Sequence, residues 1–188
     1  MPHPTQMLRN ESALLVVDVQ EKLAPKILQA DVLVRNIAFL IDGAKLLDVA
    51  VTATEQYPKG LGATVPELAK RLPPRPDKVA FSCCAVPDLT AGLRRQGRSR
   101  VLLAGIETHV CVLNTALDLL AQDFLVYVPV DAVSSRSAID HDIALKRMEK
   151  AGAILTTSET AVFEWTGGAN HPRFKQISAL VQERMKMT

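Results

Sequence analysis

Three side chains that could share one chemical task lie far apart along the chain, at Asp18, Lys78 and Cys111. A cysteine thiolate is a nucleophile, a carboxylate can take the proton of a thiol or a water as a general base, and a nearby lysine lowers the pKa of a thiol and orients a carboxylate. Together they would form a reactive-cysteine site. Each also has an ordinary interpretation, as a buried structural thiol, a loop carboxylate or a solvated surface lysine.

The surroundings of Cys111 favour the reactive interpretation. A buried-looking strand over Val101–Ala104 runs into a turn that contains Gly105, and a helical pattern then begins near Thr108. The start of a helix offers unpaired backbone N–H groups and the positive end of the helix dipole. Both stabilise a thiolate, so the sequence predicts a lowered pKa for Cys111.

Short apolar runs alternate with stretches of helical period along the whole chain. Strands are predicted at residues 13–17, 49–53, 78–81, 100–104, 124–130 and 153–155. Helices are predicted at residues 31–47, 65–72, 86–96, 108–121, 139–150, 158–164 and 172–185, with a loop at 55–63. Alternation of this kind is typical of a parallel sheet with helices on both faces, here in a single domain over residues 1–188.

The fold class predicts where the reactive groups meet. In open parallel sheets ligands bind outside the carboxyl ends of the strands. The first, third and fourth predicted strands would bring the three reactive groups to that rim. Candidate pocket residues near the same rim are Gln20, Glu55, Gln56, Tyr57 and Phe81, although residues 55–57 could equally be solvated loop residues.

The other cysteines and the histidines give weaker signals. Cys83 and Cys84 are rival nucleophiles, but they have no clear helix-start context, and we interpret them as mostly structural. His109 lies close to Cys111 in sequence, yet residues two apart on a helix point to different faces, which favours a surface histidine. The chain has no spaced Cys/His cluster and no glycine-rich nucleotide loop, so no metal and no cofactor are predicted.

The amino-acid composition excludes several other classes of protein. The chain has 188 residues, 48% of them hydrophobic, a net charge of +2 and only 4% aromatic residues. This balance argues against a nucleic-acid surface, and no apolar run is long enough to span a bilayer. Three cysteines do not make a disulfide framework, which favours a reducing, cytoplasmic location.

Taken in order, several segments resemble the isochorismatase-like cysteine hydrolase family, and in particular its small single-domain subgroup. The matching segments are Leu14–Gln20, Thr54–Pro58, Lys78–Ser82, Gly105–Val112, Asp131–Arg136 and Gly152–Glu159. They extend over nearly the whole chain. The resemblance implies a Rossmann-like α/β fold, a three-layer α/β/α sandwich with a six-stranded parallel sheet.

The resemblance also implies roles for individual residues. Asp18, Lys78 and Cys111 would form a catalytic triad, and a non-proline cis peptide would join Ile106 to Glu107. The backbone N–H groups of Glu107 and Cys111 would form an oxyanion hole. The implied activity is metal-independent hydrolysis of a small amide, carbamoyl compound or ester through a Cys111 thioester. The implied partners are a small-molecule substrate and further copies of the chain in a homo-oligomer. Composition predicts no nucleic-acid partner and no membrane partner.

Two alternatives remain open from the sequence. Isochorismatase itself cleaves a vinyl ether by protonation and does not need the thiol, so ether or enol hydrolysis with Asp18 as the acid is the first. A non-catalytic, redox-responsive binding protein is the second, suggested by the adjacent Cys83 and Cys84. Nicotinamidases of the family hold a metal through histidines after the second strand. This chain has none between His3 and His109, which disfavours nicotinamide as substrate.

Overall fold

The computed structural model describes residues 3–186. The strands are β1 (Ser12–Val17), β2 (Ala50–Gln56), β3 (Asp77–Lys78), β4 (Arg100–Ile106), β5 (Leu125–Pro129), β6 (Val133–Ser134) and β7 (Ile154–Thr156). The helices are α1 (Ala30–Leu46), α2 (Pro58–Leu61), α3 (Pro66–Ala69), α4 (Leu89–Arg95), α5 (Leu113–Leu120), α6 (Ala138–Ala151), α7 (Ser158–Thr166) and α8 (Phe174–Met185). The outermost residues of the predicted domain, 1–2 and 187–188, lie outside the described part.

All strands pair in parallel within one sheet. The order across the sheet is β3-β2-β1-β4-β5-β7, and the short β6 pairs with the end of β4. Helices α1, α7 and α8 contribute to the core on one face, and α4, α5 and α6 to the core on the other. The predicted three-layer α/β/α sandwich is confirmed.

The central strand shows why its sequence is apolar at every position. Leu14 and Val16 of β1 point into one core, whereas Ala13, Leu15 and Val17 point into the other. A strand covered by helices on both faces has no solvated side, so its residues need not alternate with polar ones. The continuous apolar run therefore marks a central strand, and its carboxyl end delivers the next residue, Asp18, into the interior.

The sheet differs from the prediction at three places. Strand β6 adds a seventh strand where six were predicted. The predicted loop 55–63 begins inside β2, because Glu55 and Gln56 pair with β3, and it contains the short helix α2. The predicted strand 78–81 ends at Lys78, because the Lys78 ammonium donates hydrogen bonds to the carbonyls of Ala80 and Phe81 and the backbone turns there instead of extending.

Gly105 allows β1 and β4 to approach each other at the rim. Its φ is +125°, and a Cβ at this position would overlap the backbone of Val17 on the neighbouring strand. Only glycine combines that backbone conformation with the absence of a side chain. Gly105 therefore permits the close approach of the two strand ends that lead to Asp18 and to the Cys111 turn.

We expect Gly105→Ala to lower the free energy of unfolding by about 3 kcal/mol or to prevent folding, since backbone strain and overlap act together. Gly97→Ala is the matched control, because Gly97 also has a positive φ of +69° but a Cβ there would meet nothing within 4 Å. Its cost should be about 1 kcal/mol. Urea unfolding of both variants measures the difference, and equal losses would rule out the close approach as the cause.

No helix within residues 3–186 has the length and apolar character needed to cross a membrane.

Candidate active site

The structure brings Asp18, Lys78 and Cys111 together at the carboxyl ends of β1, β3 and β4. Asp18 follows β1 directly, Lys78 ends β3, and Cys111 lies in a π-helical turn, Thr108–Val112, between β4 and α5. Lys78 Nζ lies 2.6 Å from Asp18 Oδ2, and both side chains are almost completely buried. Cys111 is also buried and faces the charges of both residues.

Lys78 is held as a cation by four oxygen atoms. Besides Asp18 Oδ2, its ammonium donates to Gln56 Oε1 at 2.7 Å, to the Phe81 carbonyl at 2.9 Å and to the Ala80 carbonyl at 3.3 Å. Burial, the largest single influence, lowers the pKa of Lys78, but the charge and hydrogen bond of Asp18, together with the contributions of Cys83 and Cys111, outweigh it and the pKa is raised overall. The positive charge is therefore a permanent feature of the site at neutral pH.

Asp18 is fixed by contacts to both of its carboxylate oxygens. Thr54 Oγ1 donates to Asp18 Oδ1 at 2.8 Å, while Oδ2 takes the Lys78 ammonium. The backbone of Asp18 has a φ of +52°, and its N–H donates to the Thr54 carbonyl at 3.3 Å. Aspartate is among the residues that tolerate such a left-handed conformation, which ends β1 and turns the side chain inward.

The pKa of the Cys111 thiol differs from the prediction. Burial raises its pKa, and the negative charge of Asp18 raises it further, while the positive charge of Lys78 opposes the change. The predicted lowering of this pKa was wrong, because Lys78 is already paired with Asp18 and because Cys111 lies in the interior. The resting site therefore consists of a neutral thiol facing a carboxylate, an arrangement in which the base can take the proton as the sulfur attacks.

The turn that carries Cys111 is anchored through Glu107. The peptide bond between Ile106 and Glu107 is cis. The Glu107 carbonyl accepts hydrogen bonds from the N–H groups of Val110 and Val112, and its carboxylate accepts from the backbone N–H of Arg136 at 3.1 Å. These contacts fix the backbone between Glu107 and Cys111, which carries the two N–H groups that the resemblance predicts for an oxyanion hole.

Of the candidate pocket residues, Gln56 reaches the site. Its Oε1 accepts from Lys78 and lies 4.0 Å from Cys111 Sγ, and its Nε2 donates to the Val79 carbonyl at 2.7 Å. Gln20 instead connects two backbone segments. Its side-chain amide donates to the carbonyls of Gln56 and Gly62 and accepts from the backbone N–H of Gln56. Gln20 therefore supports Gln56 rather than presenting a free polar group.

The other candidate pocket residues point elsewhere. Alternation along β2 places Glu55 on the face opposite Gln56, where its carboxylate accepts from Thr64 and from Arg75. Tyr57 and Phe81 are more than half exposed, so they are surface residues near the rim.

Two further residues of the site, Thr54 and Thr115, escaped the sequence interpretation. Thr54 contacts Asp18, and its position two residues before Gln56 on β2 places both on one face, which is the signal that could have found it. Thr115 donates to the Cys111 carbonyl at 2.6 Å from one helical turn away, and it accepts from the backbone N–H of Cys83 at 2.9 Å. Cys83 is completely buried beside them.

Two histidines near the Cys111 turn contact hydroxyl groups. His109 is only partly exposed and its Nδ1 lies 3.0 Å from Ser135 Oγ, so the prediction of a surface histidine was incomplete. His141 Nδ1 lies 3.0 Å from Thr108 Oγ1. Within residues 3–186, no group of three or more His, Cys, Asp or Glu side chains is arranged to hold a metal ion.

Comparison with known proteins gives consistent results. The sequence model of the isochorismatase domain family matches residues 12–160 of this chain. Isochorismatase domain-containing protein 2A of Mus musculus is 45% identical over 181 residues, which cover 95% of this chain and 86% of that protein. A structure described as MAR1 Ribonuclease from Caenorhabditis elegans is 46% identical with a TM-score of 0.86, over 93% of this chain and 91% of that one.

A more distant structure shares the full length of the fold. The YcaC gene product of Escherichia coli, described as an octameric hydrolase of unknown specificity, is 26% identical with a TM-score of 0.80 and covers 100% of both chains. The family model matches well over half of the chain, and the mouse relative matches nearly all of it. The chain therefore belongs to the isochorismatase domain family, as an isochorismatase-like hydrolase.

Proposed function

We propose that the protein is a cysteine hydrolase that cleaves a small amide, carbamoyl compound or ester through a thioester on Cys111. The observation that carries this proposal is the buried Lys78–Asp18 ion pair beside the Cys111 thiol. A carboxylate held by a cation and a hydroxyl, next to a neutral thiol, is a general base in contact range of a nucleophile. The catalytic roles of Asp18, Lys78 and Cys111 are part of this proposal.

In the first step Asp18 takes the thiol proton while Cys111 Sγ forms a bond to the substrate carbonyl carbon. The carbonyl π electrons move to the oxygen, and the backbone N–H groups of Glu107 and Cys111 stabilise that charge. Collapse of the tetrahedral intermediate breaks the bond to nitrogen or oxygen, and Asp18 returns its proton to the leaving group. Water then attacks the thioester, Asp18 takes one of its protons, and the thiol leaves with that proton.

Trapping of the acyl-enzyme tests this function. The protein is mixed with p-nitrophenyl acetate, quenched in acid and digested with trypsin, which separates residues 101–136 with Cys111 from residues 79–94 with Cys83 and Cys84. We expect acetyl transfer to the 101–136 peptide, and none to that peptide in Cys111→Ala. Labelling confined to 79–94, or equal labelling of both peptides, would contradict the proposal.

Ribonuclease activity is a second candidate, since the similar Caenorhabditis elegans structure is described as a ribonuclease. Incubating the same protein and its Cys111→Ala variant with a single-stranded RNA oligonucleotide, and measuring RNA cleavage, distinguishes the two functions. Cleavage of RNA that survives in Cys111→Ala would favour the second candidate and a site that does not use the thiol. Ester hydrolysis without RNA cleavage would favour the first.

We also infer that the protein forms a homo-oligomer, supported by the description of the Escherichia coli YcaC structure as octameric. Sedimentation velocity measures the mass in solution, and a single species at the mass of one chain would exclude the inference.

A further inference from the structure

A hydroxyl group lies between the base of the site and a second buried thiol. Thr54 Oγ1 is 2.8 Å from Asp18 Oδ1 and 3.3 Å from Cys83 Sγ, and all three side chains are buried. The mechanism proposed above gives Thr54 no role beyond contacting Asp18, and it gives Cys83 no role. Their contacts therefore need a separate explanation.

The direction of the hydrogen bonds follows from the number of protons. A carboxylate only accepts, so the single hydroxyl proton of Thr54 points to Asp18 Oδ1. The Thr54 oxygen is then left as an acceptor for Cys83, whose S–H must be the donor. Burial raises the pKa of Cys83 to about 11, and the negative charge of Asp18 contributes to the rise, so the thiol keeps this proton at neutral pH.

The row of hydrogen bonds from Cys83 through Thr54 to Asp18 is also connected to the backbone of Cys111. The Thr115 hydroxyl accepts from the backbone N–H of Cys83 and donates to the carbonyl of Cys111. Thr115 thus connects the turn that carries the nucleophile to the segment that carries the second thiol. On the other side of the carboxylate, Lys78 holds Oδ2.

We propose that Thr54 is a positioning residue for Asp18, and that the Cys83 thiol orients the Thr54 hydroxyl. With Oδ1 bonded to Thr54 and Oδ2 to Lys78, the plane of the carboxylate is fixed relative to the sulfur of Cys111. Hydrogen bonds in such a chain strengthen one another. The catalytic consequence rests on the proposed hydrolase function, whereas the positioning itself does not.

The proposal predicts a shift in pH dependence. Thr54 donates to the Asp18 carboxylate, so its loss leaves more of that negative charge facing Cys111 and raises the pKa of the Cys111 thiol further. The titratable groups that face Asp18 within the described residues are Lys78, Cys83 and Cys111, and Lys78 stays charged throughout the range. In Thr54→Val the acid limb of Cys111 alkylation should therefore move to higher pH by about one unit.

The test measures the rate of iodoacetamide labelling of the 101–136 peptide against pH, which needs no substrate. Thr54→Val should shift the profile, and Thr54→Ser, which keeps the hydroxyl, should restore it. Cys83→Ala should shift it in the same direction by a smaller amount. Cys84→Ala is the control, since Cys84 lies outside the chain of hydrogen bonds, and it should leave the profile unchanged.

A profile for Thr54→Val equal to that of the unaltered protein, or a serine variant as shifted as the valine variant, would overturn the proposal. Thermal unfolding of each variant shows that the measured protein is folded. If the profile shifts as expected but no acyl-enzyme forms on Cys111, the positioning stands and the hydrolase function fails. If an acyl-enzyme forms and the profile does not shift, the reverse holds.

Discussion

Replacement of Cys111 by alanine is expected to reduce turnover of p-nitrophenyl acetate by at least about 1000-fold, since the thioester route disappears while its base remains without a proton to take. Cys111→Ser should be almost as inactive, because a hydroxyl is a far weaker acid than a thiol. Initial rates, corrected for spontaneous hydrolysis, measure the loss.

The other two cysteines provide graded controls for this experiment. Cys84→Ala should keep its rate within about twofold, because Cys84 is half-buried outside the site. Cys83→Ala should lose less than about tenfold, since it only removes the partner of Thr54. A Cys111→Ala protein that retains turnover would refute the thioester route. Cleavage of a vinyl ether by the unaltered protein but not by Asp18→Asn would then support ether or enol hydrolysis with Asp18 as the acid.

Replacement of Lys78 by methionine is expected to lower the free energy of unfolding by about 3–5 kcal/mol, because it leaves the Asp18 carboxylate buried without a counter-charge. The pKa of Lys78 in the folded protein is raised above its ordinary value of 10.5. The contribution of Lys78 to the free energy of unfolding is therefore fully present below pH 10.5, and it is lost only as the pH rises through the higher pKa of the folded state. The difference between the two proteins in urea unfolding should therefore be the same at about pH 7 and pH 9.

An exposed ion pair is the matched control for that measurement. Lys70 lies 2.8 Å from Glu67, but both side chains are about half exposed. Lys70→Met should change the unfolding free energy by less than about 0.5 kcal/mol. The double variant Asp18→Asn/Lys78→Met should recover much of the loss, since it removes both buried charges. A loss for Lys78→Met no larger than for Lys70→Met would show that the buried pair contributes nothing to stability.

The sequence was sufficient to predict those features of the fold that follow from a single rule of chemistry or geometry. The apolar run before Asp18 predicted a central strand, and strand–helix alternation predicted the rim on which Asp18, Lys78 and Cys111 meet. These inferences succeed because burial on both faces and the direction of parallel strands are properties of whole elements. They do not depend on the conformation of any single side chain.

The predictions failed where a side chain determined the backbone or where charges compete. Lys78 draws the carbonyls of Ala80 and Phe81 to its ammonium, so an apolar run that looks like a strand ends at its first residue. The pKa of Cys111 depends on whether the charge of Lys78 is already neutralised by Asp18. Neither effect is visible in hydrophobic periodicity, because the first is a local contact of a side chain with the backbone and the second depends on distances between residues that are remote in sequence.

The central place of β1 has a consequence for how the protein acquires its structure. Asp18 follows β1, whose neighbours are β2, with Thr54, on one side and β4, which leads to the Cys111 turn, on the other. Both pairings join sequence-distant segments, and such contacts form slowly during folding. Protection of Cys83 and Cys111 from alkylation should therefore appear late in refolding, so that the two native thiols act as built-in kinetic probes for completion of the sheet.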